Sequence, residues 1–159
     1  MTLSIKSSAF AHGGAIPKRC TCEGDDVSPP LLWSGLPTNT KSVALIVEDP
    51  DAPDPKAPKT TWVHWILYNV PPSMTSLAEN AARLGFPSGI LTGRNDWGRL
   101  DYGGPCPPVG RHRYFHRLFA LDVLLPRLRD PRRSAIEIAM SGHVLAEAAL
   151  MGTYEKGSP

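Results

Sequence analysis

"WVHWILYNV", residues 62–70, is a run of aromatic, β-branched and other apolar residues interrupted only by a histidine and an asparagine. Such a run is apolar on both faces of an extended chain, as is a strand in the middle of a covered sheet. Two further runs have the same character, SVALIVE at residues 42–48 and an aromatic, branched segment at residues 111–125. Punctuated by glycine and proline, these runs predict an all-β core, and the weakly alternating LSIKSSAF at residues 3–10 predicts an outer strand.

The chain between Pro71 and Val109 is predicted to be mostly loop. A helical turn or two is expected within residues 76–84. The stretch GRLDYGGPCPPVG at residues 98–110 is too rich in glycine and proline to be regular. Long shaped loops in a compact domain are often functional.

One convincing helix is predicted near the C-terminus. Ser134 and Glu137 have the spacing of a capping box. Gly142 is expected to divide this helix, and Gly152 is expected to end it. Four apolar residues recur at helical spacing and form one stripe: Ile136, Ala139, Met140 and Val144.

Composition narrows the class of protein. The chain has 159 residues, of which 42% are hydrophobic and 20% charged, as in a soluble globular protein, and we expect one domain over residues 1–159. A net charge of +2 is too small to imply a nucleic-acid partner. The N-terminal stretch lacks the pattern of a signal peptide, and no apolar run approaches the ~18 residues of a membrane span. These features predict a cytoplasmic location.

The three cysteines are Cys20, Cys22 and Cys106. An odd number cannot pair completely, and their spacing fits no standard zinc knuckle. We therefore expect reduced thiols, with no disulfide, no metal and no cofactor.

Common catalytic motifs are missing. There is no G-x-S-x-G and no phosphate-cradling P-loop. Ser141 and His143 fall within the predicted helix, where such near neighbours cannot form a nucleophile–base pair. His112 and His116 lie on a predicted strand, where four residues span about 13 Å and cannot share one zinc ion. A hydrolase that uses His64 or His112 would thus lack a nucleophile and a metal set, and we expect a non-enzymatic protein.

A binding pocket is the interpretation that remains. "EDPDAPDPKAP", residues 48–58, is a proline-stiffened acidic loop that directly follows a predicted strand. On the next strand Trp62, His64 and Ile66 share a face, and on the third strand His112 and Tyr114 lie about 6.6 Å apart on one face. Two histidines, a tyrosine and an acidic loop at the ends of apolar strands predict a pocket.

Six ordered motifs also resemble the phosphatidylethanolamine-binding protein family, in its bacterial and archaeal branch often labelled Raf-kinase-inhibitor-like. The resemblance covers nearly the whole chain. The residues that carry it are DVSPPL at 26–31 with Trp33, DPDAP at 49–53, HW at 64–65 with YNVP at 68–71, GPCPP at 104–108, HRY at 112–114, and GHVLAE at 142–147 with GTY at 152–154.

The resemblance implies a large antiparallel sheet packed on a smaller sheet, with short C-terminal helical elements. It implies a small pocket for phosphate-like anions or phosphoryl head groups. It also implies a cis Ala52–Pro53 bond and makes a homodimer plausible. The animal members' long C-terminal helix is represented here only by a short tail, which weakens the expectation of lipid-sized ligands and kinase binding. The ligand-binding positions that carry over are Asp49, Asp51, His64, Gly104, Pro105, His112 and Tyr114, with Pro107 and Pro108 extending the edge of the pocket.

These positions suggest a role for the acidic loop. Asp49 is expected to hold one ring nitrogen of His64 and to raise the pKa of that histidine, so that an imidazolium faces the anion. Asp51 is expected to accept a hydrogen bond from a protonated phosphate oxygen or an ammonium group. The leading function is a non-enzymatic binding protein that regulates a partner such as a kinase. The alternative is a serine protease inhibitor that acts through the exposed loop at residues 53–61.

Overall fold

A computed structural model describes residues 2–158 and consists mainly of two antiparallel sheets. The small sheet has the order β1-β2-β5, with β1 at Ser4–Lys6, β2 at Leu31–Ser34 and β5 at Ser76–Leu77. The large sheet has the order β6-β4-β3-β7-β8, formed by Leu91–Thr92, Thr60–Val70, Ser42–Ala52, His112–Leu121 and Val144–Tyr154 respectively. The predicted all-β core and the outer strand at the N-terminus are confirmed.

The three apolar runs form the three central strands, β3, β4 and β7. Strand β3 is buried on both faces because it lies between two apolar clusters. One cluster, which includes Leu45 and Trp65, fills the space between the two sheets. The other, which includes Ile46 and Ile66, lies on the opposite face of the large sheet. The continuous apolar character of residues 43–47 follows from this double burial.

Helix α2, Arg133–Met140, covers the second cluster through Ile136 and Met140. Its Arg133 also reaches the sheet, where Nη1 lies 2.6 Å from a carboxylate oxygen of the buried Glu48. The predicted capping box is wrong. The helix begins at Arg133 with no side-chain cap, so Ser134 lies inside the first turn and cannot serve as the N-cap.

The predicted helix also ends earlier than expected. After Met140, Gly142 adopts a φ of +82°, which places it in the left-handed region, and the chain turns into β8. Val144 is therefore the first residue of a strand, and Gly152 lies inside that strand. Strand β8 pairs with β7 over ten positions. This pairing takes precedence over the helical spacing that Val144 shares with the apolar residues of α2.

The segment at residues 76–84 contains one helical turn, as predicted, together with a short strand. It divides into strand β5 and the single turn of helix α1 at Ala81–Leu84. None of the helices within residues 2–158 is long and apolar enough to cross a membrane.

The prediction of reduced cysteines is wrong. Cys22 and Cys106 form a disulfide between positions 84 residues apart in the chain. The fold brings their Cα atoms to 5.4 Å, within the range that a disulfide requires, a proximity that the sequence spacing could not reveal. Cys20 is the free cysteine and is fully buried, and burial raises the pKa of its thiol to about 11.

Candidate functional site

A cavity of about 300 Å³ lies where β3 ends and where β4 and β7 begin. The loop that precedes β7 closes one side of it. The side chains that line the cavity are aromatic or apolar apart from two histidines and an aspartate: Asp49, Ala52, Pro53, Trp62, His64, Trp97, Cys106, Pro107, Pro108, His112 and Tyr114.

His64 points into the cavity because of a β-bulge. Val47 pairs with Trp65 and Glu48 pairs with Val63, so His64 is an extra residue on β4 that has no partner on β3. A bulge interrupts the alternation of side chains and re-aims one of them, often next to a functional site. The expectation that Ile66 shares a face with His64 is therefore wrong: Ile66 packs in the cluster on the opposite face.

The ring of His64 is held by the backbone of the glycine–proline loop that precedes β7. Nδ1 lies 2.7 Å from the carbonyl oxygen of Gly103, and since a carbonyl can only accept, Nδ1 carries the proton. Burial lowers the pKa of His64 to about 4, although the carbonyls of Gly103 and Gly104 favour the charged form. A raised pKa was predicted, and this prediction is wrong. His64 is neutral near pH 7, so its Nε2 is a hydrogen-bond acceptor.

Asp49 contacts the other histidine, and not His64 as predicted. Its Oδ2 atom lies 2.5 Å from His112 Nδ1, and its Oδ1 accepts a hydrogen bond of 2.7 Å from the amide of Asp51. Burial raises the pKa of Asp49 and outweighs the hydrogen bonds from His112 and the Asp51 amide, which lower it. The carboxylate is thus fully engaged inside the protein.

Both ring nitrogens of His112 are also engaged. Nε2 lies 2.9 Å from the carbonyl oxygen of Val109 and 3.1 Å from that of Pro53. These carbonyls require a proton on Nε2, and Nδ1 shares a second proton with Asp49. Whichever partner holds that second proton, Asp49 and His112 together carry no net charge. His112 therefore lines the cavity without a free nitrogen for a ligand.

Two residues that line the cavity each carry a buried donor with no protein acceptor: the Tyr114 hydroxyl and the Trp62 indole N–H. Burial also raises the pKa of Tyr114, which keeps the phenol protonated. The ring of Tyr114 stacks on His112 at 6.3 Å and meets His64 edge-on at 5.2 Å. An unsatisfied buried donor is costly, and a ligand oxygen would satisfy it.

Asp51 lies outside the cavity wall. Arg113 Nε and Nη2 each lie 2.9 Å from an oxygen of Asp51, and the Arg113 amide donates to it as well. These bonds lower the pKa of Asp51. The expected contact between Asp51 and a ligand is therefore not supported, because its carboxylate already has a bidentate partner.

The glycine–proline loop shapes the rim of the cavity. Gly104 and Pro105 are buried behind it, where the Gly104 amide donates to Asp26 and the Pro105 carbonyl accepts from Cys22. Pro107 and Pro108 reach the cavity itself. Gly104 and Pro105 were predicted to bind the ligand, but neither lines the cavity. On the facing rim the Ala52–Pro53 bond is cis, as predicted.

Five residues that line the cavity were absent from the predicted ligand-binding set: Ala52, Pro53, Trp62, Trp97 and Cys106. Trp62 had a signal in the sequence, since it stands two residues before His64 on the same strand. Trp97 comes from an irregular loop and had none, although its ring meets His64 edge-on at 4.9 Å. Asp26 fixes the glycine loop from a distant segment.

The polar groups left free on the wall are few and neutral. They comprise two donors, on Tyr114 and Trp62, and one acceptor, on His64. No lysine or arginine among residues 2–158 lines the cavity. The arginine beside it, Arg99, lies over the Trp97 ring at 5.6 Å and pairs with Asp101.

Comparison with known proteins agrees with the fold and with the motifs. A family model described as phosphatidylethanolamine-binding protein matches residues 6–155. A UPF0098 protein of Methanothermobacter thermautotrophicus is 47% identical over 156 residues, which span 98% of this chain and 100% of that protein.

Two solved structures are also similar. A phosphatidylethanolamine-binding protein homologue of Chlamydia trachomatis, CT736, matches with a TM-score of 0.88 and 42% identity over 98% of each chain. YbcL of E. coli matches with a TM-score of 0.87 and 31% identity over 98% of this chain and 99% of YbcL. The chain belongs to the phosphatidylethanolamine-binding protein family.

Proposed function

We propose that this protein is a non-enzymatic binding protein whose cavity takes a phosphate-like anion or a phosphoryl head group. The observation that carries the proposal is a pair of buried donors on residues that line the cavity, Tyr114 Oη–H and Trp62 Nε1–H, which have no acceptor in the protein. Phosphoryl oxygens are strong acceptors. The cavity is also small enough to desolvate such a group and thereby strengthen each hydrogen bond to it.

Within residues 2–158 no serine, threonine or free thiol lines the cavity, which supports binding rather than catalysis. Cys106 is the cysteine of the described wall, and its sulfur is bonded to Cys22 in the disulfide. Both nitrogens of His112 are occupied, which leaves it unable to act as a base. We expect no turnover of phosphoesters, and a colorimetric phosphatase assay checks this.

Calorimetric titration with inorganic phosphate tests the proposal. Tyr114→Phe removes one donor and leaves the cavity shape, so affinity should fall roughly two- to ten-fold, the value of one neutral hydrogen bond. Trp33→Phe is the matched control, because it removes another unpaired buried indole N–H that lies away from the cavity. No binding heat at any pH, or equal effects of the two variants, would contradict the proposal.

Serine protease inhibition is the alternative function. The loop between β3 and β4 is exposed at residues 56–60 and stiffened by prolines on either side of Lys56. An inhibitory loop needs this exposure and rigidity. Inhibition of a chymotrypsin-like protease, abolished by replacing residues 55–59 with glycine and serine, is the outcome that would favour it over the anion-binding proposal.

Partners and location form a separate part of the proposal. We propose that ligand binding regulates a partner protein such as a kinase, and that the chain forms a homodimer. Affinity capture with and without phosphate checks the first, and light scattering checks the second. We also propose a cytoplasmic location, but the Cys22–Cys106 disulfide removes the support that reduced cysteines would have given it. Cell fractionation checks it.

A further inference from the structure

We infer that the cavity selects the singly protonated form of a phosphoryl group, because His64 Nε2 accepts a hydrogen bond from the P–OH, and that it discriminates against oxyanions that carry no proton. This inference rests on the proposed function and names the class of ligand within it. It assigns His64 the role of a specificity-determining residue, where the resemblance implied a cationic anion-binding group.

The tautomer of His64 follows from its surroundings. Nδ1 must donate, because its partner at 2.7 Å is the Gly103 carbonyl oxygen. The bulge on β4 aims the ring at the cavity, and the edge-on rings of Trp97 and Tyr114 hold it there at 4.9 and 5.2 Å. A neutral ring with Nδ1–H presents a bare lone pair at Nε2. That lone pair attracts a proton donor and repels an anionic oxygen.

The other free groups on the wall complement this acceptor. Tyr114 and Trp62 each offer one proton to the unprotonated oxygens of the ligand. The wall therefore offers two donors and one acceptor. A phosphate monoanion or a phosphomonoester monoanion has both kinds of oxygen, and it can satisfy all three groups at once.

The charged groups that face His64 do not offset this selection. From β3 comes Asp49 and from β7 come His112 and Tyr114; Asp49 and His112 neutralise each other, and Tyr114 is an uncharged phenol. The loop that carries Trp97 and the glycine–proline loop contribute no charged side chain to the described wall. His116, also on β7, is neutral near pH 7, since burial lowers its pKa to about 4.

The pH dependence should consequently come from the ligand. Burial lowers the pKa of His64 to about 4, so its protonation does not change above pH 5. A phosphomonoester loses its last proton with a pKa of about 6. Affinity should be constant below that value and should fall about tenfold per pH unit above it. If an imidazolium bound the dianion, the profile would follow the histidine.

Two kinds of oxyanion lack the P–OH that His64 Nε2 is inferred to recognise. Sulfate is a dianion without a proton at neutral pH. A phospholipid head group is a phosphodiester, which carries one negative charge and no P–OH. Free phosphate and phosphomonoesters are therefore the ligands that this wall fits, and the diester of a lipid head group is not.

Calorimetry on the wild-type protein tests the inference with four probes: inorganic phosphate, glycerol 3-phosphate, sulfate and glycerophosphoethanolamine. At about pH 6 the first two should bind roughly ten- to a hundred-fold more tightly than the last two, as expected when a buried acceptor is left unpaired. The midpoint of the loss of affinity at high pH should shift when glycerol 3-phosphate is replaced by a phosphonate of higher pKa.

His64→Gln is the variant that tests the role of His64. A glutamine amide can rotate to donate to an unprotonated oxygen or to accept from a P–OH, so it should not discriminate between them. It should bring phosphate and sulfate to within about threefold of each other. His116→Gln is the matched control: His116 is an equally buried neutral histidine that donates Nδ1–H to the Leu150 carbonyl and does not line the cavity. This control should leave the phosphate-to-sulfate ratio unchanged.

The outcomes are distinguishable. Phosphate binding with equal affinity for sulfate or for the diester would overturn the inference and leave the proposed function in place. Failure of all four probes would contradict the proposed function itself. Should His64→Gln not fold, the wild-type probe ratios and the shift of the pH midpoint decide the question alone.

Discussion

The two sides of the cavity treat their polar groups in opposite ways. On the closed side, defined by Asp49 and His112, both ring nitrogens of the histidine are hydrogen-bonded, one to the carboxylate and the other to the carbonyls of Pro53 and Val109. On the open side, defined by His64, Tyr114 and Trp62, three groups have no partner toward the cavity. One side resembles a protein core, and the other resembles a binding surface.

This difference separates stability from recognition within a single cavity. A buried ion pair needs complete hydrogen bonding, since each unpaired charge is expensive in a medium of low dielectric constant. Removal of a group from the closed side should therefore unfold the protein more readily than it weakens binding. Removal of a group from the open side should do the reverse.

The largest effect is expected from Asp49→Ala. It leaves the buried proton on His112 without its acceptor, so the free energy of unfolding should fall by about 3–5 kcal/mol. Asp49→Asn is the matched control, because an amide can donate to a neutral His112 and still accept from the Asp51 amide. Urea denaturation measures both variants. A loss below about 1 kcal/mol for Asp49→Ala would show that the closed side does not carry stability.

The disulfide is expected to support the rim that both sides share. Replacing Cys22 and Cys106 with serine should lower the free energy of unfolding by about 2–4 kcal/mol, since the bond closes a loop of 84 residues. Cys20→Ala is the control, as Cys20 is a buried free thiol nearby in the sequence. Phosphate affinity should fall as well, because Pro107 and Pro108 follow Cys106 on the rim. Unchanged urea midpoints under reducing and oxidising conditions would refute this.

A second comparison, between strands β7 and β8, shows how far the sequence predicts the fold. Strand β7, HRYFHRLFAL, is rich in aromatic residues and was predicted correctly. Its neighbour β8, VLAEAALMGTY, was predicted in part as helix because Val144 continues an apolar stripe at helical spacing and Gly152 was expected to end the helix. The pairing of β8 with β7 over its whole length is a tertiary effect that no local window contains.

The site shows the same division. Polar residues at the ends of apolar strands, together with the family motifs, predicted the side chains that meet at the cavity. The pairing among them was wrong, since Asp49 contacts His112 and not His64. That choice depends on a β-bulge and on the register shifts of β3, which are properties of the paired strands and leave no mark in either strand alone.

Acid should destabilise the protein through two buried neutral histidines, His64 and His116. The folded pKa of His64 is about 4, below the unperturbed value of about 6.5. The unfolded chain therefore binds the proton first, so stability is lost as pH falls from about 6.5 to about 4, by about 3 kcal/mol at the lower value. His116 adds a similar loss for the same reason. His64→Gln and His116→Gln should each remove about half of the combined loss of unfolding free energy that the two histidines cause between about pH 6.5 and pH 4. Urea titrations of both variants and the wild type at several pH values measure this. An acid sensitivity that neither variant reduces would contradict the neutral state of both rings.

The smallest effect is expected outside the cavity, at Asp51. Arg113 holds its carboxylate in a bidentate pair, but the arginine side chain is 51% exposed, so solvent screens the interaction. Arg113→Ala should cost about 0.5–1 kcal/mol of unfolding free energy and should leave phosphate affinity unchanged. Because Arg113 lowers the pKa of Asp51, this contribution is present above about pH 4 and is lost as pH falls further. Arg111→Ala is the control, since Arg111 forms a looser pair with Glu155 at 3.6 Å near the same end of β7. A fall in phosphate affinity for Arg113→Ala, without one for Arg111→Ala, would return Asp51 and its partner to the binding site.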